Sequence, residues 1–165
     1  MKAMTMISFS FLLAMVVACT KTTESVEPIT DAASTVNKAV MLQLVNDARK
    51  KGCQCGDTYY PSAPAVTWNT LLEKAALNHS LDMNTNRYFS HTSPDGTGAG
   101  VRIEVAGYKW KTYGENIAMG YASEKEVVEG WLKSPGHCQN IMKPSFKEMG
   151  VAKAGNYWTQ NFGAK

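Results

Sequence analysis

The chain reads as a single α+β domain, and three features of the sequence predict it. Segments with apolar residues at helical spacing come first, segments that alternate apolar and polar residues come last, and no regular strand–helix–strand alternation runs through the whole. The 165 residues, 44% hydrophobic and 10% aromatic, suffice for one domain that buries its own core. The 17 Lys and Arg against 14 Asp and Glu give a formal charge of +3. Those basic residues are scattered, not gathered in a stripe, so nucleic acid is not an expected partner.

The opening stretch, "MKAMTMISFSFLLAMVVACTK", has one early lysine and an apolar run from Ile7 to Val17 broken only by Ser8 and Ser10. A spanning helix needs roughly 20 residues, so this run reads as a signal peptide over 1–18. "VVAC" resembles the lipobox of bacterial lipoproteins, which implies that Cys19 accepts a diacylglyceryl group and begins the mature protein. The alternative is ordinary secretory cleavage elsewhere. With a lipid on Cys19 the protein is expected in the cell envelope, membrane-anchored and facing the extracytoplasmic side, where thiols meet an oxidising environment. Residues 19–35, rich in Thr, Ser and Glu with Pro28, form the expected tether, and 36–165 the folded domain.

The domain begins with a helix in which Val36, Val40, Leu44, Val45 and Ala48 recur at helical spacing and Gly52 supplies the stop. "CQCGDTYYPSAPAVTW" has two prolines and no periodicity, and reads as a loop. In "NTLLEKAALNHSLDMNTNRY" a second helix puts Leu72, Ala75, Ala76, His79 and Met83 on one face, so His79 points inward as a hydrogen-bonded structural histidine. The turn-rich "FSHTSPDG" leads to a short helix around Val101–Ala106, and "TYGENIAMG" reads as a strand. Ser123 with Glu126 makes a capping box ahead of Val127, Val128, Trp131 and Leu132. The final "EMGVAKAGNYWTQNFG" alternates as two strands joined at Ala154-Gly155-Asn156.

HExxH, GxSxG, CxxC and phosphate-binding glycine loops are absent. Two histidines in turn-like positions, His91 and His137, and a glutamate between glycine and asparagine, Glu115, are what remains to carry chemistry. Ser90, Ser93 and Ser134 are the hydroxyls close to them in sequence, none in a recognisable nucleophile elbow.

"FSHTSPDG", "YGENIAMG", "GWLKSPGHCQNIM" and "MGVAKAGNYWTQNFG", in this order, resemble the bacterial branch of the CAP superfamily, the SCP domain shared by cysteine-rich secretory, antigen 5 and pathogenesis-related proteins. The resemblance runs over Val36–Gly163. It implies an α-β-α sandwich around a central antiparallel sheet, with a cleft that in many members carries two histidines and two glutamates and can hold a divalent metal. His91, Glu115 and His137 match three of those four positions, and Ser134 stands at the fourth. Three such groups suit zinc with an open coordination position, bound weakly without the second carboxylate. They equally suit a cluster that hydrogen-bonds internally and pins three loops.

The resemblance also favours a Cys55–Cys138 disulfide, leaving Cys53 over. A zinc site from Cys53, Cys55, His137 and Cys138 is the alternative. Gly136 after Pro135 is expected to turn the chain so that His137 faces the cleft and Cys138 faces Cys55. The function implied is an interaction module for a protein, peptide, lipid or envelope polymer. A hydrolase of peptides or envelope polymers centred on His91, Glu115 and His137 is the second reading, and a sterol-binding role has no separate feature to support it.

Overall fold

The computed structural model describes residues 36–165, so the expected signal peptide, Cys19 and the tether lie outside the described residues. Among the described residues five helices and six strands follow in the order α1 (Lys38–Lys51), β1 (Cys53–Cys55), β2 (Thr58–Tyr60), β3 (Thr67–Trp68), α2 (Thr70–Asn86), α3 (Ala99–Val105), β4 (Thr112–Met119), α4 (Glu124–Lys133), α5 (Pro135–Met142), β5 (Glu148–Ala154) and β6 (Tyr157–Ala164). The class is α+β, as the sequence predicts.

Three helix starts follow capping chemistry. Asn37 accepts from the Val40 N–H, Asn69 from those of Leu71 and Leu72, and Ser123 from that of Glu126. Glu126 reaches back to the Ala122 N–H at 3.0 Å, one residue earlier than the capping box predicts. Ser134 ends α4 and begins α5, with Pro135 at the first helical position where its missing N–H costs nothing. Gly136 is therefore helical, not the pivot of a sharp turn. His137 and Cys138 diverge because successive residues on a helix point roughly 100° apart.

Two other expectations change. The buried stripe of α1 is Met41, Val45 and Arg49, while Val40 is 40% exposed and Leu44 and Ala48 are half-buried. Apolar residues flank both sides of that stripe, so periodicity alone left its centre undetermined by one residue. The segment expected as a loop contains β1 and β2, an antiparallel ribbon pairing Cys53 with Tyr60 and Cys55 with Thr58, and then β3. Strands of two or three residues are too short to show alternation.

The main sheet has the order β3-β5-β6-β4. β5 and β4 both pair antiparallel with β6, and β3 joins β5 in parallel at Thr67–Glu148 and Trp68–Met149. The sheet is thus antiparallel except at one short edge strand. Helices cover both faces. Leu72 and Ala75 of α2 pack with Ile103, Ala106 and Tyr108 on one side. On the other, Met41, Val45, Val127, Val128, Trp131 and Ile141 from α1, α4 and α5 pack with Met149, Val151, Trp158 and Phe162 of the sheet. Alternation along β5 explains the split: Met149 and Val151 face the second layer, and Gly150 faces α2. A Cβ at Gly150 would come within 2.1 Å of the Glu73 backbone nitrogen, so only glycine lets α2 lie this close.

Candidate functional site: a polar cleft over the edge strand

β4 forms one edge of the main sheet, and its alternation places Glu115 on the side of α2 and α3 and Asn116 on the side of α5. The site straddles that edge. On the first side the Glu115 carboxylate is almost fully buried. His91 Nδ1 donates to Glu115 Oε1 at 2.8 Å, and the Arg102 guanidinium donates to Oε1 at 3.1 Å and to Oε2 at 2.9 Å. Arg102 also donates to the carbonyls of Thr97 (2.7 Å) and His91 (2.9 Å), so one side chain of α3 holds both the carboxylate and the loop that carries His91.

His79, fully buried on α2, lies 4.0 Å from Glu115 Oε1 and places its Nε2 2.9 Å from the Ser90 carbonyl. It is the hydrogen-bonded inward histidine expected from its helical position. Burial holds its imidazole pKa below the ordinary value, Glu115 pulls it back up in part, and Arg102 adds a smaller downward effect. Nearby, Tyr88 donates to Asp82, and its oxygen is 3.2 Å from Ser93 Oγ. Ser90 Oγ accepts from the Thr92 N–H at 3.1 Å.

On the second side, His137 projects from α5 into a depression of about 310 Å³ that Phe89, Ile117, Met119, Trp131 and Ser134 also line. Burial, and then the charge of His91, lower the His137 pKa. Side-chain amides fix its helix to the sheet. Asn116 Nδ2 donates to the His137 carbonyl (3.2 Å) and to Gln160 Oε1 (2.9 Å), while Asn140 Nδ2 donates to the Glu115 carbonyl (3.1 Å) and to Asn116 Oδ1 (2.9 Å). The Glu115 and Ile117 carbonyls on the edge of β4 accept from Asn140 and Trp131, so side chains cover that stretch of exposed edge.

Of the residues singled out in the sequence, then, His91 and Glu115 meet directly and His137 stands across the edge strand from them. Ser134 lines the depression and adds no carboxylate. Arg102, Asn116, Asn140 and Gln160 were not legible as site residues. Only the adjacency of Asn116 to Glu115 within "GEN" hinted at one of them. The donors available to a cation are imidazole nitrogens: with Nδ1 bonded to Glu115, His91 keeps Nε2 on a side chain that is 53% exposed. Glu115 itself has both oxygens engaged.

Cys55 and Cys138 are joined by a disulfide, and Cys53 is the free cysteine of the described residues. The three sulfurs lie within 4.8 Å of one another, and His137 is not part of that group. With two of the three sulfurs bonded to each other, the alternative zinc site of Cys53, Cys55, His137 and Cys138 is not assembled in this structure.

A family model described as the cysteine-rich secretory protein family, CAP, matches residues 42–162. The chain is 33% identical over 145 residues to the uncharacterized protein YkwD of Bacillus subtilis, covering 86% of this chain and 53% of that protein. It is also similar to the crystal structure of an extracellular protein containing a SCP domain from Bacillus anthracis, with a TM-score of 0.64 and 29% identity over 78% of this chain and 41% of that one. A structure of NaASP2 with Zn2+ has the same fold, with a TM-score of 0.53 and 17% identity over 76% of this chain and 78% of that one. The chain spans about half the length of the two bacterial relatives.

Proposed function

The chain belongs to the cysteine-rich secretory protein (CAP) family, and from that premise we propose that it is an extracytoplasmic binding module. It is held at a membrane by a lipid on Cys19, and its cleft over β4 takes an extended ligand together with a weakly bound divalent metal ion. The observation that carries this reading is the state of Glu115, buried and ion-paired with Arg102 while orienting His91. A carboxylate with both oxygens committed in this way is a fixed support for the side chains around it. Its bond to His91 Nδ1 fixes the ring and leaves Nε2 as a donor, the outer-partner arrangement common behind metal-binding histidines.

His91 and His137 would then hold the ion, with Glu115 behind His91 and no second carboxylate at Ser134. When bound, the ion supplies a Lewis-acid contact for an oxygen of the ligand. Two imidazoles make a weak site, consistent with exchange on ligand binding. The adjoining depression is apolar at Phe89, Ile117, Met119 and Trp131, which suits one apolar group of a peptide or polymer segment whose carbonyl or carboxylate reaches the histidines.

Titration calorimetry with Zn2+ tests the cleft. Binding should weaken at least tenfold in His91→Ala and in His137→Ala, and persist in Cys53→Ser. Equal affinity in wild type and both histidine variants would overturn the reading. The anchor is tested separately: Cys19→Ala should abolish fatty-acid labelling and release the protein from membranes, and an unlabelled, soluble wild type would refute it.

A further inference from the structure

The cysteine left over by the disulfide is not isolated. Cys53 and Cys55 occupy alternate positions of β1 and therefore point to the same side of it, toward Cys138 on α5. Cys53 Sγ lies 3.5 Å from Cys138 Sγ, in van der Waals contact with a sulfur of the bridge. Its other polar contact is with the Gln54 carbonyl at 3.7 Å, a weak one for a thiol. Cys53 is half-buried and opens on a depression of about 370 Å³ between α1 and α4, lined by Leu44, Ala48, Val128 and Leu132, whereas Cys55 is 1% exposed.

We propose that Cys53, Cys55 and Cys138 form an internal thiol–disulfide exchange site, in which Cys138 passes between two partners on one strand. The Cys53 thiolate attacks Cys138 Sγ, the Cys53–Cys138 bond forms, the Cys55–Cys138 bond breaks, and Cys55 leaves as a thiolate that takes up the proton Cys53 gave up. One S–S bond and one thiol stand on each side of the reaction, so it consumes no oxidant or reductant. The exchange moves the free thiol from a solvent-reachable groove to the buried Cys55 position while α5 stays covalently tied to the ribbon. The domain thereby keeps its staple in either state and presents a reactive thiol in only one of them.

Two measurements on the full-length protein test this. In the first, wild type is acid-quenched to freeze exchange, unfolded in acid, alkylated and mapped without reduction. Both Cys55–Cys138 and Cys53–Cys138 peptides are expected, the former in excess. In the second, Cys55→Ser should carry a Cys53–Cys138 link in nearly all molecules and melt within a few degrees of wild type, while Cys138→Ser melts about 10 °C lower. Finding only the Cys55–Cys138 link in wild type, or two free thiols in Cys55→Ser, overturns the proposal. If Cys55→Ser does not fold, the wild-type map alone decides it.

Discussion

Arg102 decides the electrostatics of the cleft. Its guanidinium and the Glu115 carboxylate are both largely buried and pair at 2.9 Å. Removing one member of such a pair leaves an uncompensated charge, so Arg102→Met should cost about 3 to 5 kcal/mol of stability in denaturant unfolding. It should also raise the His79 pKa, because Arg102 is one of the causes holding it down. Glu115→Gln, which keeps the shape and an acceptor for Arg102, should cost less.

The same neighbourhood sets a pH dependence. His79 is buried against Ser90 and faces Glu115, Arg102 and Asp82, and its folded pKa lies below the ordinary imidazole value of about 6.5. Between those two values the unfolded chain binds the proton and the folded one does not. Stability is therefore complete above the ordinary value and is lost as pH falls toward the folded one. Melting curves across that range should slope less steeply for His79→Gln than for wild type. Arg102 illustrates what the sequence conceals: an arginine on a short helix has many uses, and its pairing with Glu115 depends on how two elements dock.

At the level of elements, legibility followed length and local chemistry. The second helix was readable because Leu72, Ala75, Ala76, His79 and Met83 trace one unambiguous face over 17 residues, and the β5–β6 hairpin because its turn carries Gly155-Asn156 between long alternating runs. The β1–β2 ribbon and α5 were not, since three-residue strands lack a pattern and "SPGH" reads as a break until Pro135 is recognised as a first-turn residue. Close approach is another property that local pattern does not disclose. Gly150→Ala places a methyl inside the backbone of α2, where only movement of the helix relieves it, and should destabilise by about 3 kcal/mol or more by chemical denaturation. Gly136→Ala, with open space around the added methyl, should instead be neutral or stabilising.

For the molecule as a whole, the Cys55–Cys138 bridge links the ribbon after α1 to the helix that carries the cleft histidine, across a sequence separation of 83. Closing a loop of that size corresponds to about 4.5 kcal/mol on the chain-entropy estimate, an upper figure for Cys138→Ser measured by thermal or denaturant unfolding. Arg49 reinforces the same region. Buried on α1, it donates to the carbonyls of Pro64, Ile141, Lys143 and Phe146, satisfying the end of α5 from within.

The ties that hold α5 in place are the amides of Asn116, Asn140 and Gln160, the Arg49 guanidinium, which stays protonated, and a covalent bridge to β1. None of them gains or loses a proton over the range in which imidazoles do. Acidification therefore changes the charge of His137 while leaving α5 where it stands, and a ligand released at low pH would leave behind a helix already placed to take it back.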